Sequence, residues 1–351
     1  MMKRLNLALQ GGGSHGAFTW GVLDRLLEEP ELEIAAISGT SAGAMNAVVL
    51  ADGLAEGGRE GAQRKLAEFW GAVANMALIS PIRRTFLDRF MGKWSLDYSP
   101  SYLFFNMFSR YLTPSEFNPF NVNPLKEILL KQVNFEQVNQ CTATKLFLSA
   151  TNVETGQAKV FEQPNITDDV VLASACLPYL FHAVEIDGVP YWDGGYAGNP
   201  PLFPLFDSSV CNDIAIIQIN PITRTGIPRT APDIHNRLNE IVFNQSLVKE
   251  LRAIEFVQRL LNEGKLDEQI YHNMYIHVIE NQASLSSLGA SSKVNAEWRF
   301  LRHLRNIGRD TAETWLARNF DKIGVRSTLD VQNLFKSYAP EGANVVKDIA
   351  A

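Results

Sequence analysis

Cysteine is scarce. Cys141, Cys176 and Cys211 are three scattered residues in a chain of 351, too few for a disulfide framework, and no C-x-x-C spacing marks a zinc site. That usage fits a reducing compartment. Long apolar runs are lacking as well: no stretch reaches the about 18–20 residues that a spanning helix needs. The run Leu5–Leu9 behind Lys3 and Arg4 is interrupted by Asn6 and stopped by glycines, too short for the core of a signal peptide. Positive charge is not in excess, since 32 Lys and Arg stand against 38 Asp and Glu for a net charge of -6, which argues against a nucleic-acid partner. No repeat, low-complexity tract or linker divides the chain. The expectation is a single cytoplasmic domain over 1–351, touching membranes at most peripherally, with no metal and no cofactor.

What is present is an ordinary globular composition, 46% apolar and 20% charged, arranged as strands alternating with helices. Residues 5–10 read as a buried strand, followed by Gly11-Gly12-Gly13-Ser14-His15-Gly16 and a helix carrying Phe18, Val22, Leu23 and Leu26 on one face. A second strand over 34–39 runs into a small-residue helix over 42–54, and helical spacing resumes over 61–74. Further strands are expected at 145–150, 158–161, 213–219 and 275–279, a helix at 167–176, and a hairpin over 184–191 turning at Asp187-Gly188. Long helical patterns fill 233–263 and 293–319, and the last dozen residues carry little pattern. This order predicts an α/β fold, a three-layer α/β/α sandwich on a mostly parallel central sheet.

The strongest chemical signal is Gly39-Thr40-Ser41-Ala42-Gly43, a G-x-S-x-G turn between a short strand and a helix. So sharp a turn needs flanking glycines and lifts the serine hydroxyl above the sheet, the position of a nucleophile. Serine attack also requires a base and donors for the resulting oxyanion. The backbone of Gly11, Gly12 and Gly13, at the end of the first strand, is suited to aim several N–H groups at one point. Gly11, Gly13 and Gly16 also satisfy G-x-G-x-x-G, but the acids some 20 residues on, Glu31 and Glu33, precede the next strand instead of following it, which disfavours a dinucleotide site.

Taken together, the glycine loop, the serine turn and Asp193-Gly194-Gly195 resemble the patatin-like phospholipases in order and spacing. Ala150-Thr151-Asn152-Val153-Glu154-Thr155-Gly156 and Ala173-Ser174-Ala175-Cys176-Leu177-Pro178 support the resemblance, which extends over about 5–220. It implies a Ser-Asp dyad: Ser41 attacks an ester carbonyl, Asp193 takes the hydroxyl proton, and Gly11, Gly12 and Gly13 hold the oxyanion. Gly39, Gly43, Gly16, Gly194 and Gly195 would shape the turns around it. Where the family often carries Arg or Lys in the glycine loop, this chain has His15. That residue either keeps a cationic role at low pH, contributes a hydrogen bond or proton transfer, or simply begins the helix. The implied substrate is a lipid or other acyl ester.

Rival readings remain. A Ser-Asp-His hydrolase has His235, His272, His277 and His303 to draw on, although none stands in a loop motif. A carrier-dependent acyltransferase wants histidine beside the serine, where Thr40 stands. A catalytically silent lipid-binding protein would not need Ser41, Asp193 and the glycine loop together. Within an insertion over about 76–125, eleven of the 35 residues from Phe86 to Phe120 are aromatic, against 10% for the chain. Phe86, Phe90, Trp94, Tyr98, Tyr102, Phe104, Phe105, Phe108 and Tyr111 would line an acyl site, dip into a lipid surface, or form an ordinary core. Arg83, Arg84, Arg89 and Lys93 are at hand for anionic head groups. In the helical part over about 230–351, Arg299, Arg302, Arg305 and Arg309 read as a solvated face.

Overall fold

The computed structural model describes residues 2–78, 80, 82–108, 111–207, 211–267 and 270–336. The first half runs β1 (Lys3–Leu9), α1 (Gly16–Leu26), β2 (Leu32–Thr40), α2 (Ala42–Ala77), then short helices α3 (Phe86–Phe90), α4 (Pro100–Phe108), α5 (Pro114–Phe117), α6 (Pro124–Gln132) and α7 (Phe135–Gln140). It continues through β3 (Lys145–Asn152), β4 (Ala158–Glu162), α8 (Asp168–Ser174), β5 (Val184–Ile186), β6 (Val189–Asp193) and α9 (Pro204–Asp207). The remainder is β7 (Asp213–Gln218), α10 (Ala231–Asn262), β8 (Tyr275–Glu280), α11 (Gln282–Leu285), α12 (Trp298–Asn319) and α13 (Val331–Lys336). The stretches read at 42–54 and 61–74 merge into α2, which kinks at Gly57 and Gly58. The last dozen residues lie outside the described residues.

One eight-stranded sheet organises these elements, in the order β5-β6-β3-β2-β1-β7-β8 with β4 also on β3. Strands β3, β2, β1, β7 and β8 pair in parallel, while β4, β5 and β6 join antiparallel. The pleat sends alternate side chains to opposite faces. Leu5, Leu7, Leu9, Ile37, Ile217 and Ile279 enter one core with α1, α2 and α12. Ala8, Ala36, Ile214, Ile216 and Ile276 enter another, against Leu247, Leu251 and Ile254 of α10. Helices therefore cover both faces, the three-layer arrangement that continuous apolar strands such as β7 require.

The register on β3 decides where the chemistry sits. Residues 147–151 of β3 carry β4 along one edge, and 145–149 carry β2 along the other. Strand β6 pairs with 150–152, so it takes the edge that β2 vacates after Ser149. Thr40 stands opposite Ser149 and Asp193 opposite the next residue, Ala150. Two strands running in opposite directions thus meet by their C-terminal ends, bringing Ser41 and Asp193 together.

Three expectations change. The α12 arginines are not a uniformly solvated face: Arg305 and Arg309 both converge on buried Asp24 of α1, and Arg309 also reaches Glu28. Arg84 is no lipid-facing cation, because it is buried, forked onto Glu297 and stacked on Trp94 at 4.3 Å. Residues 293–297 are not helical in the α sense; a 3-10 turn, Ala290–Val294, precedes α12.

Candidate active site

Ser41 follows β2 and caps α2 with φ 54° and ψ -121°, a left-handed backbone that a non-glycine residue holds only when its surroundings impose it. Here they do. The Ser41 N–H donates to Ser174 Oγ at 2.9 Å, and Met45 N–H returns to the Ser41 carbonyl at 3.1 Å. Gly43 is obligatory, since a Cβ there would lie 2.2 Å from the Leu9 carbonyl oxygen. The turn therefore forms because α2 starts directly against the end of β1.

Asp193 closes β6. Its N–H donates to the Cys176 carbonyl at 2.8 Å, its own carbonyl accepts from Thr151 Oγ1 at 2.8 Å, and Oδ1 accepts the Gly195 N–H at 2.7 Å. Ser41 shares the cavity wall with this carboxylate and favours its charged form. At 1% exposure, burial pushes the Asp193 carboxyl up to about 6, opposed by the Gly195 hydrogen bond, the Ser41 hydroxyl and the positive charge of Lys293. A carboxylate with that affinity for a proton, sharing a cavity wall with a serine hydroxyl, is suited to proton transfer near neutral pH.

The glycine loop departs in part from expectation. Gly12 and Gly13 lie on the wall of the cavity that contains Ser41 and Asp193, and their N–H groups have no partner among the described residues. Gly11, expected beside them, is turned away, because its N–H donates to Asn199 Oδ1 at 2.7 Å. Its carbonyl accepts Asn220 Nδ2 at 2.8 Å. Ala42, whose N–H opens α2, lies on the wall with Gly12 and Gly13.

His15 caps α1 and plays no cationic part. Its ring is buried, its Nε2 meets Ser292 Oγ at 2.8 Å, and Phe300 packs edge-on against it. Burial, reinforced by the nearby Lys293 charge, pushes its pKa down to about 3. Gly16 follows at the helix start, Gly39 backs onto Gly43, and Gly194 and Gly195 form the 3-10 turn after Asp193. Among the described residues no histidine reaches the cavity. His277 is bonded to Asp213 and Thr328, His303 stacks on Trp94, and His235 lies in a separate cavity.

The cavity measures about 330 Å³, and its lining is supplied by α2 through Met45, Phe69, Trp70, Val73 and Met76, with Leu177, Leu180, Phe181 and Phe243. Among the described side chains, none of the aromatic residues expected from Phe86 to Tyr111 takes part. Phe86, Phe90, Tyr98, Phe104 and Tyr111 are exposed, Tyr102 and Tyr111 edge the second cavity, and the side chains of Arg89, Phe105 and Phe108 lie outside the described residues. Asn199, Asn220, Phe243 and Lys293 also belong to the site, unforeseen from the sequence. Asn199 lies just beyond the Asp-Gly-Gly turn, a hint of sorts; the other three carry no local pattern. Among the described residues no group of His, Cys, Asp or Glu side chains is arranged to hold a metal ion. The nucleotide alternative finds no support: Glu33 lies at the start of β2 and pairs with Arg4 at 2.9 Å.

The family model of the patatin-like phospholipases matches residues 7–206. No curated protein matches the chain in sequence. Among solved structures, VipD from Legionella pneumophila is similar at 15% identity and a TM-score of 0.43, over 90% of this chain and 67% of that one. A chain of the ExoU–SpcU complex from the type III secretion system of Pseudomonas aeruginosa is similar at 16% identity and a TM-score of 0.37. That likeness covers 91% of this chain but 52% of the other, so the chain spans about half its length.

Proposed function

The chain belongs to the patatin-like phospholipase family, and from that premise we propose that it is a serine acyl-ester hydrolase of lipids acting through Ser41 and Asp193. The observation that carries the reading is Ser41 and the buried Asp193 carboxylate, whose proton affinity is raised, on the wall of one apolar cavity. Asp193 withdraws the proton as Ser41 Oγ bonds to the acyl carbon. The carbonyl electrons move onto oxygen, beside the Gly12 and Gly13 N–H groups and the N–H of Ala42. Asp193 then returns the proton to the departing alcohol, and a water activated by the same carboxylate cleaves the acyl-enzyme. The acyl chain lies along Phe69, Trp70, Val73 and Leu180, gaining about 0.8 kcal/mol for each methylene buried. Contact with a membrane is peripheral in this reading, since no helix among the described residues is long and apolar enough to cross one.

The test is hydrolysis of p-nitrophenyl esters of graded chain length, with chelator present throughout. Ser41→Ala and Asp193→Asn are each expected to lose at least about a thousandfold in kcat, and a fluorophosphonate probe to label wild type but not Ser41→Ala. An active Asp193→Asn with an inactive Ser41→Ala would assign the base elsewhere. An unlabelled, inert wild type would favour the silent lipid-binding alternative.

A further inference from the structure

The Ser41 cavity has two charged side chains on an otherwise neutral wall, Asp193 and Lys293. Lys293 comes from the 3-10 turn Ala290–Val294, outside the 7–206 that the family model covers. The turn is clasped to the glycine loop. Gly13, at φ 58°, has no room for a Cβ, which would stand 2.4 Å from the Lys293 carbonyl oxygen.

The Lys293 side chain is held but not neutralised. Nζ donates to Asn220 Oδ1 at 2.7 Å and stands 5.6 Å from the centre of the Phe243 ring, and Asn220 in turn grips the Gly11 carbonyl. No carboxylate is within ion-pairing distance of Nζ among the described residues. An ammonium with one neutral acceptor on an apolar wall is costly to maintain, and groups kept at such cost are concentrated at functional sites. The glycine loop provides no competing cation, since His15 is neutral and bonded to Ser292.

We propose that Lys293 is a catalytic residue contributed by the C-terminal third of the chain: its ammonium stabilises the negative charge that develops on the acyl oxygen as Ser41 attacks. Lys293 keeps its proton and forms no covalent bond; the Ser41 proton goes to Asp193. The inference rests on the ester-hydrolase reading above. The charged and titratable groups facing Lys293 are Asp193 from β6, Glu240 from α10, itself held by Arg224 and Arg237, and neutral His15. Burial pushes the Lys293 ammonium down to about 8, with Glu240 and Asp193 pulling the other way. Activity should therefore fall as pH rises through about 8.

The experiment measures pH profiles of kcat and KM on uncharged p-nitrophenyl butyrate for wild type, Lys293→Gln and Lys293→Arg, with the rate of fluorophosphonate labelling of Ser41 alongside. Lys293→Gln should lower kcat and the labelling rate on the order of a hundredfold, with KM little changed and no alkaline limb. Lys293→Arg, whose guanidinium stays charged, should keep most activity and lose the fall near pH 8. Thermal unfolding of both variants guards against a folding defect, and Lys293→Arg reads the charge even if the glutamine variant unfolds. A Lys293→Gln enzyme with kcat within about twofold of wild type on this neutral ester, or a Lys293→Arg profile still falling near pH 8, overturns the proposal while leaving the hydrolase intact. A wild type that neither hydrolyses nor labels, or an active Ser41→Ala, overturns the hydrolase reading itself.

Discussion

Asp193 shows the cost of the site most directly. Its folded pKa of about 6 lies above the 3.8 of an ordinary aspartate, so between about pH 4 and 6 the folded chain keeps a proton that the unfolded chain has lost. Stability consequently declines as pH rises through that window, and the deficit is complete above it. Asp193→Asn carries no charge to bury. It should be more stable than wild type at pH 7.5 by up to about 3 kcal/mol and indistinguishable at pH 3.5, as read by urea unfolding at the two pH values. A destabilised Asp193→Asn at pH 7.5 would mean that the carboxylate's bond to Gly195 and its attraction to Lys293 outweigh its desolvation. In the mechanism proposed above the same group sets the acid limb: kcat/KM should rise about tenfold per pH unit up to about 6 and hold until the Lys293 limb near 8.

At the scale of elements, much was legible because it depends on local pattern. The apolar strands β1, β2, β3, β7 and β8 announced themselves, and Asp187-Gly188 turns the β5–β6 hairpin where expected, at φ 52° and 76°. The serine turn could be read for the same reason, since a strand, a small-residue turn and a helix are adjacent in sequence. What could not be read was set by neighbours distant in sequence. Nothing around Gly11 says that Asn199 takes its N–H, and nothing around Lys293 says that a 3-10 turn carries it to the glycine loop. The aromatic segment misled because composition does not say which side a ring faces. The basic spacing of α12 misled likewise, since two of its arginines clamp α1. That clamp gives a prediction: Asp24→Ala leaves two guanidinium groups facing a buried gap. It should cost about 2–3 kcal/mol in urea unfolding, below the full penalty of a deeply buried pair because both arginines remain about a third exposed. Arg299→Ala, on the same helix but outside the clamp, should cost less than about 0.5 kcal/mol.

For the molecule as a whole, the family match ends at 206, yet β7, β8 and α12 lie beyond it and complete the sheet and one covering layer. Ser41 sits in a cavity walled by α2, while Phe86 and Phe90 of the aromatic segment stand apart from it, 84% and 82% exposed. Exposed aromatics of that size, in a segment that also leaves Arg83 and Lys93 in solvent, have the chemistry suited to the interface of an anionic bilayer, where rings are buried and cations meet head groups, and the membrane contact proposed above is assigned to them for testing. Separation of these rings from the cavity makes the two properties dissociable. Replacing Phe86 and Phe90 together with serine should reduce co-sedimentation with phosphatidylserine-containing vesicles by about tenfold, while hydrolysis of soluble p-nitrophenyl butyrate and the unfolding midpoint stay as in wild type. Equal loss on the soluble ester would tie the segment to the site after all; unchanged sedimentation would leave Phe86 and Phe90 without a membrane role.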